Sequence, residues 1–345
     1  MAATAEYVIA SGRDIADTTD IFRCYKADTG VEAWAIYHPA PGKLDFGSTP
    51  RATPLIHEGH VFLLGAFGHL QCAELATGTV VWEKEIKDEF PPAAAPTWGY
   101  CGSPLIADGK LIVSAGAQGA TLVALDPKTG ALVWKGAGDA TGYGSFVAAE
   151  LGGKLQIVGH DATTLGGWDL ATGKRLWTMT PSRPKDFNVP TPIIFDGQLV
   201  VTTENNGTRL YRFRPDGTID PTPAGRYDPL HPDTHSPVVS GGRMFGVWAD
   251  ALHCLDLAHK LKPLWTGADP MFGDFTTLIA SDERLLAVGM DSELLLIDAT
   301  ADSFKPLGRL KLIADEAGVY AHPALVGDRL YYSGSDVLLC VDLGS

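Results

Sequence analysis

Residues with hydroxyl or imidazole side chains, which could take part in catalysis or ligand binding, recur at the start of a repeated apolar segment. Aligned on that segment, the same position holds a hydroxyl in six copies and a histidine in the seventh: Thr53, Ser103, Ser145, Thr191, Ser236, Thr276 and His322. Small hydroxyls fit crowded strands and can hydrogen-bond their neighbours, which predicts a structural role for the six. His322 breaks the series, so we expect it to contact a ligand.

A second series, two residues earlier, varies in chemistry where its surroundings repeat: Arg51, Cys101, Tyr143, Val189, Thr234, Asp274 and Tyr320. Groups that face a ligand vary in this way, and so do solvated loops. The planar guanidinium of Arg51 suits a carboxylate or sulfate, and a Tyr or Trp ring can stack on a sugar. The sequence therefore predicts ligand contacts on long loops, including segments 159–164 and 203–209, from Arg51, Trp98, Tyr143, Asn188, His235, Asp274, Tyr320 and His322.

The sequence lacks the familiar metal-binding and catalytic motifs. The run His57-Glu58-Gly59-His60 lacks the spacing of a zinc-binding H-E-x-x-H helix and falls on a hairpin turn. His253, Cys254 and His259 lie around a strand whose side chains alternate between faces. A Walker loop, a nucleophile elbow and a dinucleotide fingerprint are also missing. We therefore predict no metal site and assign no catalytic residue.

Four copies of one motif show that the two series belong to a repeat. They are CYKADTGVEAW (24–34), CAELATGTVVW (72–82), ALDPKTGALVW (124–134) and GWDLATGKRLW (167–177). Weaker copies follow, so that equivalent positions in eight copies lie 42 to 52 residues apart. A four-stranded propeller blade typically takes about 43 residues. We expect the indoles of Trp34, Trp82, Trp134, Trp177 and Trp265 to be structural wedges between blades rather than cofactor contacts.

Two-residue turns upstream of each motif complete the repeat unit. Pairs such as Asp108-Gly109 and Gly241-Gly242 favour tight hairpins because they tolerate positive φ. The fold prediction is an all-β, eight-bladed β-propeller of four-stranded antiparallel blades, with seven blades as the runner-up. Residues 1–345 form one domain in this interpretation. The first blade lacks its first strand and the last blade lacks its fourth strand.

The motif resembles the tryptophan-docking repeat of quinoprotein-type propellers, and the chain is similar to PQQ-binding-like β-propeller repeat proteins over residues 7 to 343. That group includes PQQ-dependent alcohol dehydrogenases and the non-catalytic, BamB-like assembly lipoproteins; WD40-like propellers share the architecture. Its dehydrogenases carry adjacent half-cystines above the quinone. Here Cys24, Cys72, Cys101, Cys254 and Cys340 are never adjacent, and we expect free, buried thiols.

The resemblance, together with the lack of adjacent cysteines, favours a non-catalytic binding or scaffold module of bacterial type. Such a module would bind a small molecule, glycan or protein on its long-loop face and in its central funnel. We expect no cofactor. The alternatives are a dehydrogenase that uses PQQ with calcium and a glycan-processing lyase or hydrolase. Members of the family usually begin with an export signal. The absence of one here suggests a truncated chain whose native form is periplasmic or secreted.

Composition excludes several other classes. The 39 Gly and 23 Pro make up 18% of the residues, which disfavours long helices. A net charge of −14 argues against nucleic acid or anionic lipid as a partner. Apolar runs are shorter than the 18 residues that a membrane span needs. We expect a soluble monomer.

Overall fold

The computed structural model describes residues 1–273, 275–314 and 318–344. In these ranges the chain forms an all-β, eight-bladed β-propeller, as the repeats predict. Neighbouring strands of a blade are consecutive in the sequence. The chain divides into unit 1 (Met1–Tyr143, Leu170–Arg175 and Ala321–Ser345) and unit 2 (Gly144–Asp169 and Leu176–Tyr320).

The strands of blades 1 to 4 are β1 (Ala2–Ala3), β2 (Tyr7–Arg13), β3 (Thr19–Lys26), β4 (Glu32–Pro39), β5 (Leu55–His57), β6 (His60–Leu64), β7 (His69–Glu74), β8 (Val80–Glu85), β9 (Leu105–Ala107), β10 (Lys110–Ala117), β11 (Ala120–Leu125), β12 (Leu132–Gly136), β13 (Val147–Leu151), β14 (Lys154–His160), β15 (Leu165–Asp169) and β16 (Arg175–Met179). A short helix, α1 (Ile86–Glu89), follows β8.

The strands of blades 5 to 8 are β17 (Ile193–Phe195), β18 (Gln198–Thr203), β19 (Gly207–Tyr211), β20 (Gly225–Tyr227), β21 (Val238–Ser240), β22 (Arg243–Trp248), β23 (Ala251–Asp256), β24 (Lys262–Ala268), β25 (Thr276–Ala280), β26 (Arg284–Gly289), β27 (Glu293–Asp298), β28 (Pro306–Lys311), β29 (Ala324–Val326), β30 (Arg329–Ser333) and β31 (Leu338–Asp342). A 3₁₀ turn spans Pro270–Gly273. Among the described residues, no helix has the length and apolar character needed to cross a membrane.

The hairpin turns have the geometry that their sequences demand. Asp108 and Gly109 have φ values of 48° and 66°, and Gly241 and Gly242 have φ values of 54° and 78°. Positive φ at both central positions matches the right-handed twist of the flanking strands. These turns therefore set the register of the first two strands in a blade.

The tryptophans of unit 1 contact the following blade. The indole Nε1 of Trp34 donates to the carbonyl of Leu75 at 2.9 Å, and that of Trp134 donates to Leu170 at 3.1 Å. The glycine of the next Thr-Gly turn lies against the ring, and a Cβ on Gly78 would come within 2.7 Å of Trp34. The motif thus places each indole on the turn of its neighbour.

The first blade differs from the sequence-based expectation. Ala2 and Ala3 pair with Ile9 and Val8, so blade 1 has a short first strand, and the prediction that this strand is missing is wrong. Two alanines have no recognisable strand pattern, which explains the miss. In blade 8 the described residues form three strands. Blades 1 and 8 pack together in unit 1, where the Tyr331 hydroxyl donates to the Ala27 carbonyl at 3.4 Å.

All five cysteines are free, as predicted. Cys24, Cys72 and Cys254 are buried between blades, but Cys340 is exposed and Cys101 is half-buried. The prediction of burial is therefore wrong for Cys340, because its strand β31 is an edge strand in the described part of blade 8.

Candidate functional site

Three of the predicted ligand contacts in unit 1 form a connected group. The Trp98 and Tyr143 rings meet edge to face with centroids 4.7 Å apart. The Cys101 thiol donates to the Trp98 carbonyl at 3.2 Å, and burial raises the pKa of that thiol while the positive charge of Arg51 lowers it in part. Arg51 also donates through Nη2 to the Asp45 carbonyl at 2.5 Å, so its guanidinium supports its own loop. His322, the fourth contact predicted in this unit, is exposed.

The predicted contacts in unit 2 divide into an aromatic row and a buried amide. Phe275 lies between His235 and Tyr320, with ring centroids 5.9 Å and 5.0 Å away. Asn188 is buried, and its Nδ2 donates to the Asp161 carbonyl at 3.1 Å. Asn188 thus supports the loop after β14. Asp274 lies outside the described residues.

The repeated hydroxyls hydrogen-bond between blades. Ser103 Oγ accepts from the Thr53 amide at 3.0 Å in unit 1. In unit 2, Thr191 Oγ1 accepts from Ser145 at 3.3 Å, and Ser236 Oγ accepts from Thr191 at 3.0 Å. The structural role predicted for these hydroxyls is confirmed at Ser103, Thr191 and Ser236.

A concave feature of unit 2 lies between blades 4 and 5. Two adjoining cavities of about 200 and 320 Å³ share the side chains of Ser182, Asn206, Arg209 and Arg226. Their walls are the segment after β16, the loop after β18 and the segment around β20. We name this feature the blade 4–5 groove. Its second wall belongs to segment 203–209, one of the loop segments that the sequence predicts to contact a ligand.

Asn206 fixes the rim of the blade 4–5 groove. Its Oδ1 accepts from the Ser182 hydroxyl at 2.9 Å and from the Arg183 amide at 3.0 Å. Its Nδ2 donates to the Arg183 carbonyl at 2.9 Å and to Asp186 Oδ2 at 2.5 Å. One side chain therefore joins the loops of two blades, which makes the groove a preformed feature.

Two arginines line the groove beside one carboxylate. Arg226 donates to both oxygens of Asp228 at 2.7 and 2.9 Å, and Arg209 Nη1 lies 2.8 Å from Oδ1 of the same residue. Burial lowers the pKa of Arg209, whereas Asp228 has a lowered pKa chiefly through its hydrogen bond from Arg226. Two guanidinium groups share one carboxylate here, and Arg183 and Glu204 line the same cavity, so three arginines and two carboxylates leave one excess positive charge for an anionic group.

The second cavity of the groove combines an apolar wall with two buried polar side chains. Leu165, Met179 and Val201 form its wall. His160 and Thr203 also line it, and both His160 ring nitrogens and the Thr203 hydroxyl are buried without a hydrogen-bond partner. Burial lowers the pKa of His160 to about 4, so the imidazole is neutral at pH 7.

Known proteins match this chain in sequence and in fold. A family profile described as "Outer membrane protein assembly factor BamB" matches residues 18–260. The chain belongs to this BamB family. A BamB from Shewanella oneidensis is 21% identical over 347 residues, which cover 84% of each protein. The resemblance inferred from the repeats is thereby confirmed.

Solved structures similar to this BamB-family chain extend beyond the family. BamB from Moraxella catarrhalis superposes with a TM-score of 0.69 at 16% identity, covering 98% of this chain and 94% of that one. A europium-containing methanol dehydrogenase gives a TM-score of 0.68 at 13% identity, covering 95% and 80%. At such identities the likeness shows the fold, and it does not decide between binding and catalysis.

The sequence predicts one wall of the groove, segment 203–209, but not the rest. Met179, Ser182 and Arg226 stand outside its candidate residues, because they enter the groove through the packing of two blades. Arg209 and His160 fall inside the singled-out segments. Asn206 also falls inside segment 203–209, next to Gly207, which has a positive φ.

Proposed function

We propose that this BamB-family protein is a non-catalytic binding module that holds a segment of a partner protein in the blade 4–5 groove. The observation that carries this proposal is the combination of an apolar wall, formed by residues such as Met179 and Val201, with an arginine rim formed by Arg209 and Arg226. Anchoring apolar side chains beside a polar rim is the usual composition of a protein-binding site. A segment with apolar and acidic side chains fits this groove.

The relatives support a protein as the partner. They are named as outer membrane protein assembly factors, so we expect the partner to be a cell-envelope protein and the native location to be the periplasm. We also expect no cofactor, because the paired half-cystines of the quinone enzymes have no counterpart among the five cysteines.

Photo-crosslinking in the native host tests the proposal. A photoreactive amino acid replaces the exposed groove residues Thr180 or Ser182, and the control position is Asp196, on the turn between β17 and β18. We expect both groove probes to crosslink to the same protein, and we expect no crosslink to that protein from the control position. Crosslinks that are absent, or that occur equally at Asp196, would contradict a partner at this groove.

Purified components then test the chemistry of recognition. Reversing a charge with Arg226→Glu should weaken binding of the crosslinked partner at least about tenfold, since the groove then carries like charges toward an acidic segment. Arg214→Glu, in the exposed turn after β19, is the matched control and should leave the affinity unchanged. Equal affinities of the two variants would exclude the groove as the docking site. Dye reduction after addition of PQQ and Ca²⁺ would instead establish the dehydrogenase alternative.

A further inference from the structure

Two histidines and a glutamate converge between blades 1 and 2 in unit 1. His38 lies on β4, whereas His69 and Glu85 face each other on the paired strands β7 and β8. The nitrogen and oxygen atoms that these side chains can offer lie within 4.8 Å of one another. Among the residues that the structure describes, this is the one such group of three metal-binding side chains.

The distances inside this group suit a small ion. His69 Nδ1 lies 2.7 Å and His38 Nε2 lies 3.5 Å from the same oxygen, Glu85 Oε1. Ligands held about 2.0–2.1 Å from a tetrahedral zinc ion are separated by about 3.3 Å. The two observed separations lie on either side of that value and differ from it by about 0.6 and 0.2 Å, so the side chains must rearrange within the group to share one ion.

The chemistry of the donors selects the class of ion. Two imidazoles and one carboxylate favour a divalent transition metal over calcium or magnesium, which prefer all-oxygen sites. Three protein ligands leave a fourth position for water or another ligand. The Glu85 side chain is 36% exposed, so an ion can reach the group from solvent.

A second carboxylate lies near the ring nitrogen of His69 that faces away from Glu85. His69 is 5% exposed, and its Nε2 is buried without a hydrogen-bond partner. Glu83 Oε2 lies 3.6 Å from that nitrogen and accepts a hydrogen bond from Gln71 at 3.2 Å. A carboxylate behind a ligating imidazole orients the ring and strengthens it as a ligand. The buried Nε2 of His69 would then be the atom through which Glu83 orients the ring for metal binding.

We propose that His38, His69 and Glu85 bind one divalent transition-metal ion, with Zn²⁺ as the probe, and that the ion cross-links blades 1 and 2. The His38 and His69 rings are stacked, with centroids 3.3 Å apart and planes 9° apart. Because a nitrogen lone pair lies in the plane of its ring, shared ligation requires one ring to turn out of this stack. Metal binding therefore changes the environment of both rings.

Zinc binding to the 345-residue chain tests the proposal. The background is Cys340→Ser, which removes the exposed thiol as a competing ligand. After treatment with a chelator, Zn²⁺ is titrated calorimetrically, and metal content is measured after gel filtration. We expect one Zn²⁺ per chain, a higher midpoint of thermal unfolding with Zn²⁺, and displaced NMR resonances of both histidine rings.

Variants separate this site from casual binding to surface histidines. His38→Ala, His69→Ala and Glu85→Gln should each lower the affinity by more than about a hundredfold, and Glu83→Gln by about tenfold. His57→Ala with His60→Ala is the matched control, because it removes two histidines of the same blade and should change nothing. If His69→Ala unfolds, the half-exposed Glu85→Gln decides the question. No zinc bound, unchanged affinity in Glu85→Gln, or loss in the His57/His60 control would each overturn the proposal.

Discussion

The indole of Trp177 donates to Gln156 of its own blade, with Nε1 and Oε1 2.7 Å apart. Trp34, Trp82, Trp134 and Trp265 instead donate to a backbone carbonyl of the next blade. Gln156 completes the link, because its Nε2 donates to the Gly217 carbonyl in blade 5 at 3.0 Å. A buried amide thus replaces a direct contact between indole and backbone.

Replacing this amide should destabilise unit 2 strongly. Gln156→Leu fills similar space but leaves the indole N–H and the carbonyls of Leu151 and Gly217 without their bonds. We expect a loss of about 3 kcal/mol in the free energy of unfolding, measured by chemical denaturation. Trp177→Phe should lower the free energy of unfolding by less in the Gln156→Leu background than in the wild type. Additive costs of the two substitutions would show that the residues act independently.

Two Thr-Gly turns allow the energetic cost of a clash with the indole to be separated from the cost of backbone strain. Gly30 and Gly173 have φ values of 67° and 71°, so alanine is strained at both. A Cβ on Gly173 would come within 2.4 Å of the Trp134 ring, whereas at Gly30 nothing lies within 4 Å. We expect Gly30→Ala to cost about 1 kcal/mol and Gly173→Ala about 1–3 kcal/mol more. Equal losses in thermal or chemical unfolding would mean that the ring moves aside freely.

The fold follows from local sequence because each blade carries its own turn and docking signals. Asp108-Gly109 requires a tight hairpin, and the Trp four residues after Gly130 requires a neighbouring turn on which to pack. Away from these docking turns, no local signal marks which side chains of two blades meet, since those contacts depend on how the strands align. His38 and His69 are 31 residues apart in different blades, and nothing in either segment marks them as a pair. The groove was missed in part for the same reason.

Buried His160 should make stability depend on pH. Burial lowers the pKa of His160 from 6.5 to about 4 in the folded protein. Between pH 6.5 and pH 4, this histidine is therefore protonated in the unfolded chain but neutral in the native chain. This contribution is present at pH 7 and is lost as the pH falls from about 6.5 to 4. By pH 4.5 the loss should reach roughly 2–3 kcal/mol.

A matched variant isolates the histidine from other titrating groups. Asp20 acts in the opposite direction, because burial raises its pKa to about 6 and its ionisation opposes folding as the pH rises. His160→Leu keeps Asp20 and removes the buried imidazole. The difference in unfolding free energy between wild type and His160→Leu should therefore change steadily from pH 7 to pH 4.5. Parallel pH profiles of the two proteins would refute the assignment.

The cysteines should differ sharply in reactivity towards alkylating reagents. Burial raises the pKa of Cys24 and Cys254 to about 12 and that of Cys72 and Cys101 to about 11, so these four thiols remain protonated at pH 8. Cys340 is exposed to solvent. Because the thiolate is the reacting form, Cys340 should be alkylated first in the native protein.

Mass spectrometry of the alkylated protein checks this order. We expect one fast adduct under native conditions and five adducts in denaturant, and Cys340→Ser should abolish the fast one. A second fast adduct on Cys101 would show that the loop joining Trp98, Cys101 and Arg51 opens in solution. That group would then be too mobile to hold a ligand in the position that the sequence predicted for it.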